Sequence, residues 1–343
     1  MNPRMRVRYG VMIFAASLFA CGGVPGGDQA SDAGDDRRTD DRKPDAGGPP
    51  PERGDGDRDA GDSAGDQPAA LTVVTLNTHS FQEGADSLDK LEWIGEGLAA
   101  MGADLVGLNE VMSGTFWSYD YDGAQYDGTR IIQDALERAS GHPWYSASFG
   151  FAHWDDGEEM ANVVLSRAPI READRRELTT TDFWPAPQSR RNVAFARTEI
   201  SGVGVVHFFA THTWGWNSAD AAVQIDEVKA FIDEKSTGDE DLTLLVGDFN
   251  TPSTWDHYER WIEGEPFRLI DTYAEANPDG FTDSTMFGEE HRIDYIMARD
   301  GSPLLTSPVS YTSSLVFTGE PFDGVVLPKV SDHKGVVTVF ELP

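Results

Sequence analysis

The clearest indication of this chain's architecture is the run Leu242-Thr243-Leu244-Leu245-Val246-Gly247-Asp248-Phe249-Asn250. Its first five residues are apolar or β-branched and predict a buried strand. In an extended chain alternate side chains share a face, so Asp248 and Asn250 point the same way while Phe249 turns into the core. Taken alone, this ending fits either a pair of functional polar groups or a plain strand end with an Asx-type turn. The rest of the chain decides between these two interpretations.

Apolar runs of similar length recur along the chain and predict further strands. They cover residues 71–76, 105–108, 162–165, 193–200, 203–210, 293–298 and 335–342. Apolar residues spaced three and four apart predict helices between several of these strands. The predicted helices cover residues 88–101, 129–139 and 219–235. Because no repeat and no second linker interrupts these elements, residues 71–343 are predicted to form one α/β domain.

Many predicted strands end in polar residues, which an apolar core alone would not require. Leu76 leads into Asn77-Thr78-His79, and Leu108 leads into Asn109-Glu110. Further examples are Thr211-His212-Thr213, Arg292-Ile293-Asp294-Tyr295 and Ser331-Asp332-His333. In open α/β sheets, binding sites are commonly built at strand ends. These residues are therefore predicted to form a functional site.

Acidic residues dominate the composition. The 343 residues include 27 Lys and Arg against 59 Asp and Glu, a net charge of −32 at pH 7. Residues 71–343 hold 18 of the basic and 46 of the acidic residues, which leaves a net charge of −28. Tight non-specific binding of nucleic acid requires clustered Lys and Arg, so this composition argues against it. A high-salt habitat is an alternative cause of the same acidity.

The first 21 residues predict export. Three arginines precede the apolar segment 11–20, which is too short to span a bilayer and is typical of a secretory signal. The order Leu18-Phe19-Ala20-Cys21 resembles a bacterial lipoprotein signal, in which cleavage leaves the cysteine as a lipidated N-terminus. The alternative is an ordinary signal peptide with an incidental cysteine. We therefore expect a protein of the bacterial cell envelope, anchored to the membrane through a lipid on Cys21, or a secreted one.

Residues 22–70 are rich in Gly, Asp, Pro and Arg and contain almost nothing apolar to bury. This composition predicts a disordered tether. At about 5 to 6 Å times the square root of its length, such a tether would hold the following domain about 40 Å from a membrane. The predicted organisation is thus a lipoprotein-type signal peptide at 1–21, a tether at 22–70 and a folded domain at 71–343.

The strand-end motifs together resemble the endonuclease/exonuclease/phosphatase superfamily, whose members include deoxyribonuclease I, abasic-site endonucleases, inositol phosphatases and bacterial sphingomyelinases. The motifs appear in the family's order and span nearly all of residues 71–343, which the resemblance identifies as a catalytic domain. It implies a deoxyribonuclease I-like α/β fold, in which two mixed β-sheets pack face to face and are flanked by helices in a four-layer sandwich.

Three positions match the family's metal-binding residues. Glu110 matches the glutamate that binds the divalent metal, Asn77 the asparagine that supports it, and Asp332 an aspartate near the metal. The resemblance implies Mg²⁺, which favours oxygen ligands of this kind, with Mn²⁺ or Ca²⁺ as alternatives. Asn109 departs from the pattern, because the family often has Gln at this position.

Four further positions match the family's catalytic residues. Asp248 matches the aspartate that orients or deprotonates the attacking water, and Asn250 matches an asparagine that contacts the phosphate. Asp294 matches the residue that hydrogen-bonds a catalytic histidine, although a buried pair with Arg292 is an alternative. His333 matches that histidine, and an imidazole oriented by an aspartate is a sound general base.

The remaining matches concern the phosphate and the substrate. His212 matches a second histidine of the nuclease and sphingomyelinase branches, which donates to the phosphate or the leaving group. Asn162 falls in a segment that usually opens with Gly-Asn, and here Ala161 replaces the glycine. Arg191 matches an arginine that follows in many members, with Arg190 as an equal candidate. Asn162 and Arg191 are accordingly predicted to bind substrate.

The residues and the resemblance together predict a metal-dependent phosphoesterase that hydrolyses by in-line attack of activated water. His212 favours a phosphodiesterase of the nuclease or sphingomyelinase type, acting on DNA, a phospholipid or a small ester. The alternatives are an extracellular phosphomonoesterase for small phosphate esters and an inactive binding protein with the same fold. We expect a monomer.

Overall fold

A computed structural model describes most of the chain after the predicted tether. The described residues are 70–79, 87–116, 124–153, 157–179, 190–214, 219–236, 241–280, 283–302, 305 and 311–342. The predicted signal peptide, Cys21 and the predicted tether up to residue 69 lie outside these residues. Among the helices in the described ranges, none has the length and apolar character needed to cross a membrane.

Strands and helices alternate along the described residues, as expected of an α/β domain. The strands are β1 (Ala70–Asn77), β2 (Leu105–Phe116), β3 (Ala124–Asp127), β4 (Tyr145–His153), β5 (Glu159–Ser166), β6 (Ile170–Glu177), β7 (Asn192–Ile200), β8 (Gly204–His212), β9 (Leu242–Asp248), β10 (Leu269–Asp271), β11 (Asp294–Arg299), β12 (Tyr311–Val316), β13 (Pro321–Phe322), β14 (Val325–Val326) and β15 (Gly335–Glu341). The helices are α1 (Ser87–Ala100), α2 (Gly128–Ser140), α3 (Ala219–Lys235), α4 (Asp256–Glu263) and α5 (Thr272–Ala276).

The longer strands form two mixed sheets. In the first sheet the strand order is β12-β15-β1-β2-β5-β4, and β3 pairs with β2. In the second sheet the order is β10-β11-β9-β8-β7-β6, while β13 and β14 pair as a short hairpin. Each sheet contains a parallel pair among antiparallel neighbours, β1 with β2 and β8 with β9. The carboxyl ends of each parallel pair therefore lie at the same edge of their sheet.

Three apolar clusters hold the layers together. The cluster between the two sheets includes Val246 and Phe340. A second cluster packs α1 and α2 against the first sheet through residues such as Ile94. A third packs α3 and α4 against the second sheet through Phe231 and Trp261. The predicted fold class, two mixed β-sheets packed face to face and flanked by helices in four layers, is confirmed.

The two sheets approach each other closely at β2. A Cβ atom on Gly107 of β2 would lie 2.2 Å from Cγ2 of Val246 and 3.2 Å from Cβ of Ala210. Only glycine leaves room for this approach of a strand in one sheet to two strands in the other. The ends of β2, β8 and β9 are brought together across the interface as a result.

Every predicted strand and helix overlaps an observed element, but several strands were not predicted. Among the strands that were not predicted, β4, β6, β10 and β12 lie at sheet edges. Edge strands carry polar and charged residues, which weakens the apolar pattern used to predict them. β6, for example, reads Ile170-Arg171-Glu172-Ala173-Asp174-Arg175-Arg176-Glu177. Helix α4 was also missed, because its eight residues bury only Tyr258 and Trp261.

Candidate active site

The candidate active site lies where polar strand ends of both sheets meet. Asn77 and Glu110 come from β1 and β2 of the first sheet, and His212 and Asp248 come from β8 and β9 of the second. Asp294 begins β11 and lies opposite Asp248 in the antiparallel register. All five residues are at most 2% exposed. The structure therefore brings together predicted site residues that are far apart in the sequence.

A bulge in β2 sets the orientation of Glu110. The pairing of β2 with β5 changes register between Leu108 and Val111. Glu110 has a φ of 57°, in the left-handed region that residues other than glycine rarely adopt. His79 and Asn250 share this conformation, with φ values of 51° and 47°. Such a backbone costs about 1 to 3 kcal/mol per residue and is concentrated at functional sites.

Asn77 links carboxylates that belong to different sheets. Its Nδ2 donates to Oε1 of Glu110 at 3.1 Å and to Oδ2 of Asp248 at 2.9 Å. Its Oδ1 accepts the backbone N–H of His79 at 2.9 Å. Hydrogen bonds to ionised acceptors are stronger than neutral ones, so this amide fixes the two carboxylates side by side.

Asn109 makes a second connection between the sheets. Its Oδ1 accepts the backbone N–H of Asp248 at 2.9 Å, and its Nδ2 donates to the carbonyl of Thr211 at 3.0 Å. Gly247 makes room for this contact with a φ of 135°, since a Cβ atom there would lie 1.9 Å from the Thr211 oxygen. Asn109 belongs to a predicted strand-end motif, but no role of its own was predicted for it. Its place beside Glu110 at a strand end is the signal that could have identified it.

Asn162 is linked to the site through Asn109. Its Oδ1 accepts from Nδ2 of Asn109 at 2.8 Å. Its Nδ2 donates to the backbone carbonyl and to Oδ1 of Asn192, both at 2.9 Å. These contacts hold the Asn109 side chain in place. Binding of substrate by Asn162 stays a prediction.

Asp248 and Asp294 form a buried pair of acids. Burial, and then the negative charge of Asp294, raise the pKa of Asp248 to about 7. The Oδ1 atom of Asp294 is buried and has no hydrogen-bond partner among the described residues. An acid whose pKa lies near neutrality is suited to exchange a proton at physiological pH.

His333 is paired with Asp294. Its Nδ1 lies 2.9 Å from Oδ2 of Asp294, and its Nε2 lies 3.9 Å from carboxylate oxygens of both Asp248 and Asp332. Burial alone would lower the pKa of His333, but these three carboxylates outweigh it and hold that pKa well above its usual value. This environment favours the charged imidazolium.

Arg292 pairs with Asp271 rather than with Asp294. Its Nη1 lies 2.7 Å from Oδ2 of Asp271, and both side chains are buried. Its guanidinium also lies over the ring of Tyr295, 4.7 Å from the ring centre. Of the two arrangements considered from the sequence, the structure contains the pair of Asp294 with His333.

His212 differs from His333 in its protonation. Nη1 of Arg191 lies 2.6 Å from its Nδ1, and because a guanidinium has only donors, Nδ1 must accept and the ring proton is on Nε2. Burial, followed by the positive charges of Arg191 and His333, lowers the pKa of His212 well below its usual value. The Nε2 proton can point to Oδ2 of Asp248, 3.4 Å away, whereas Nδ2 of Asn250, at 2.9 Å, carries protons of its own and cannot accept it. His212 is thus a neutral donor that faces the site.

Arg191, rather than Arg190, reaches the site. Its guanidinium lies 5.2 Å from the ring centres of both Phe151 and Trp214. Its Nε is buried and has no hydrogen-bond partner among the described residues. Arg190 is exposed and pairs with Glu177 at 3.2 Å. This N–H group is a candidate donor to an anionic ligand.

Asp332 lies at the rim of the site and is paired with His79. Its Oδ2 lies 2.7 Å from Nδ1 of His79, and the two side chains are 36% and 24% exposed. The neighbouring Ser331 hydroxyl donates to the backbone carbonyl of Asn77 at 2.7 Å, which joins this segment to β1. His79 belongs to a predicted strand-end motif, but no role of its own was predicted for it. Its position two residues after Asn77 is the signal that could have identified it.

The donor set fits a divalent cation. Glu110 offers carboxylate oxygen atoms, which Mg²⁺, Mn²⁺ and Ca²⁺ prefer as ligands, and Asn77 orients this carboxylate through its Nδ2. Oδ1 of Asp294 is buried without a hydrogen-bond partner among the described residues, and burial followed by the charge of Asp294 raises the pKa of Asp248. A bound cation would stabilise these carboxylates in their charged form.

The tightest group of metal-binding side chains differs from the predicted ligands. Ligand atoms of Asp248, Asp294 and His333 all lie within 4.8 Å of one another, and within the described ranges neither Glu110 nor Asp332 belongs to such a group of three. Two of the three residues are already joined by the hydrogen bond between His333 and Asp294. We interpret this group as an acid–base cluster. Metal binding by Glu110, Asn77 and Asp332 stays a prediction.

Residues 74–333 match the model of the Endonuclease/Exonuclease/phosphatase family. The chain belongs to this family, which confirms the resemblance seen in its motifs. The family hydrolyses phosphoester bonds and generally depends on a divalent metal ion. None of the curated proteins compared with the chain matches it.

Several solved structures are similar to this domain. An endonuclease/exonuclease/phosphatase family protein from Leptotrichia buccalis is 19% identical, with a TM-score of 0.59 over 80% of this chain and 100% of its own. The human Nocturnin catalytic domain with bound sulfate anion is 14% identical, with a TM-score of 0.56 over 81% and 95%. Beta toxin 275-280 from Staphylococcus aureus is 14% identical, with a TM-score of 0.55 over 78% and 99%. At these identities the likeness establishes the fold alone.

The Asp294→Asn substitution tests the electrostatic account of His333. It removes the charge that most favours the imidazolium while keeping the size of the side chain, so burial dominates and the pKa of His333 falls. NMR titration of the imidazole nitrogens, without divalent metal, measures this pKa. The exposed and distant Glu263→Gln substitution is the control and should leave it unchanged. An unaltered His333 pKa in Asp294→Asn would contradict the account.

Proposed function

We propose that this protein is a metal-dependent phosphodiesterase of the nuclease or sphingomyelinase type. The observation that carries the proposal is the pair of buried histidines, His212 and His333, whose surroundings drive their protonation in opposite directions. Two titratable groups tuned apart in one site can take different roles, here a positive charge from His333 and a neutral hydrogen-bond donor from His212. His212 favours a phosphodiesterase, because it matches the second histidine of the family's nuclease and sphingomyelinase branches.

Asp248 is suited to activate the attacking water. Its pKa of about 7 lets it accept a proton near neutral pH. Its Oδ1 accepts the backbone N–H of Asn250 at 2.8 Å, and its Oδ2 accepts from Asn77, so the carboxylate is held in one orientation. The sequence alone left His333 and Asp248 as alternative bases. The raised pKa of His333 favours Asp248.

The phosphate is stabilised by donors that are fixed before it binds. His333 provides a positive charge, His212 provides the Nε2 proton, and Arg191 provides its unpartnered Nε. Asn250 adds a side-chain amide next to His212. Such donors stabilise the negative charge that develops in the transition state without having to reorganise. This stabilisation is a large contribution to the catalysis of phosphoryl transfer.

We further propose Mg²⁺ as the cofactor, held by Glu110 with Asn77 and Asp332, with Mn²⁺ or Ca²⁺ as alternatives. When bound, the ion supplies positive charge to the phosphate oxygens and to the departing alkoxide. The presence of Glu110, Asp248, Asp294 and His333 in one buried site argues against an inactive binding protein with this fold, because such a protein has no need to bury them.

Hydrolysis of bis-p-nitrophenyl phosphate by the full-length protein tests the proposed activity. We expect turnover with Mg²⁺, none with EDTA, and a loss of about 10² to 10⁴-fold in kcat for Asp248→Asn, since that change removes the base. Glu263→Gln, on the surface away from the site, should retain full activity. Faster hydrolysis of p-nitrophenyl phosphate would point instead to the monoesterase, and no hydrolysis of either by folded protein would point to a binding protein.

We also propose that the protein is exported to the bacterial cell envelope and anchored through a lipid on Cys21. The support is the order of residues 1–21, with arginines, an apolar segment and a single cysteine at its end. Cells fed labelled palmitate should incorporate it into the protein and place it in the membrane fraction. Cys21→Ser should abolish both results. Labelling that persists in Cys21→Ser, or unlabelled wild-type protein released into the medium, would exclude the anchor.

A further inference from the structure

The pair of Asp294 and His333 is assembled from distant parts of the chain. Asp294 begins β11, whereas His333 lies 39 residues later in the segment before β15. These two strands do not pair, because β11 belongs to the second sheet and β15 to the first. Pairing within a sheet therefore does not fix the 2.9 Å hydrogen bond between the two side chains.

A short segment at residues 284–287, here called the connecting segment, lies between them. Its residue Thr285 is fully buried. The Oγ1 atom of Thr285 accepts the backbone N–H of Ile293 at 3.1 Å and that of Asp294 at 3.2 Å. A hydroxyl oxygen has two lone pairs and can accept both donors. This one hydroxyl therefore holds the backbone that carries the Asp294 side chain.

The connecting segment also holds the backbone around His333. The carbonyl of Thr285 accepts the backbone N–H of Lys334 at 2.6 Å. The next residue, Met286, pairs with His333 in an isolated antiparallel bridge. Thr285 thus contacts the backbone of one member of the pair through its side chain, and the backbone next to the other member through its carbonyl.

Further hydrogen bonds make this connection rigid. The backbone N–H of Phe287 donates to the carbonyl of Asp332 at 2.8 Å. Nζ of Lys334 donates to the carbonyl of Ser284 at 2.7 Å. The Oγ atom of Ser284 accepts the backbone N–H of Met286 at 3.1 Å. The segment on either side of His333 is therefore fixed to the connecting segment at several points.

We propose that Thr285 is a positioning residue for the hydrolysis, and that its hydroxyl and carbonyl set the separation between Asp294 and His333. The inference rests on the proposed function and adds to it a residue that acts through these two side chains. Loss of the hydroxyl would leave two buried N–H groups without their acceptor, so the start of β11 would shift. A displacement of about 1 Å in a catalytic group can cost about 10²-fold in rate.

Thr272 provides a matched control for this role. It is also fully buried, and its Oγ1 donates to the carbonyl of Ile296 at 2.9 Å, two residues along β11 from Asp294. Replacing either threonine by valine removes one buried hydroxyl from the same strand at nearly constant volume. Only the change at Thr285 removes a contact with the backbone of Asp294.

The first test measures hydrolysis of bis-p-nitrophenyl phosphate by the full-length protein with Mg²⁺. Thr285→Val should lower kcat by about 10- to 100-fold, because the pair is displaced. Thr285→Ser, which keeps the hydroxyl, and Thr272→Val should both retain a kcat close to that of wild type. Equal losses in Thr285→Val and Thr272→Val, or a Thr285→Ser protein as slow as Thr285→Val, would overturn the proposal.

Thr285→Ala is measured in parallel, in case the valine variant does not fold. It also removes the hydroxyl, but the smaller side chain leaves space for a water molecule to bind the two N–H groups. It should again be slower than Thr285→Ser by about tenfold or more. If both variants were unfolded under conditions in which Thr272→Val is folded, Thr285 would contribute to stability alone and the proposal would fail.

The second test does not require turnover. In metal-free protein at one pH, the NMR chemical shift of Nδ1 in His333 reports its hydrogen bond to Asp294, and Asp294→Asn provides the reference for the altered bond. Thr285→Val should move this shift toward the Asp294→Asn value, whereas Thr285→Ser and Thr272→Val should leave it unchanged. An unchanged shift in Thr285→Val would overturn the positioning role. The expected shifts in a protein that hydrolyses no diester would refute the proposed function and leave the positioning of the pair by Thr285 standing.

Discussion

The whole site depends on burying carboxylates at the junction of two sheets. Glu110 belongs to one sheet and Asp248 to the other, and an isolated buried carboxylate is too costly to persist without partners. The amides of Asn77 and Asn109 provide those partners, one to the carboxylates and the other to the backbone of Asp248. The apolar interface holds the two sheets together, and the hydrogen bonds of Asn77 and Asn109 fix the strand ends of the two sheets relative to each other.

Electrostatic differences within the site follow from this arrangement. Burial, and then the facing carboxylate of Asp294 on the neighbouring strand, raise the pKa of Asp248, and both carboxylates favour the charged form of His333. His212 lies beside Arg191 and is driven toward the neutral form. The two imidazoles share one buried site and differ in protonation because their nearest charged neighbours have opposite signs.

The sequence predicted the parts of the structure that a local pattern can encode. Buried central strands, the three long helices and the polar residues at strand ends all have a clear periodicity or motif. Edge strands such as β6 were missed because solvent permits charged residues on both faces. Connections through Asn109, Asn162 and Asn192 could not be predicted, since they join residues from strands of both sheets that meet only in the folded protein. The choice of Arg191 over Arg190 likewise depends on which side chain is buried against Phe151.

The central claim is that the buried carboxylates form a binding site for a divalent cation, and calorimetric titration of the metal-free protein with Mn²⁺ tests it most directly. The account predicts saturable binding that Glu110→Gln weakens by at least about tenfold, because a neutral amide replaces the buried carboxylate while the fold is kept. The exposed Glu263→Gln protein should bind as wild type does. Saturable binding unchanged in Glu110→Gln, or no binding by folded wild-type protein, would contradict the account.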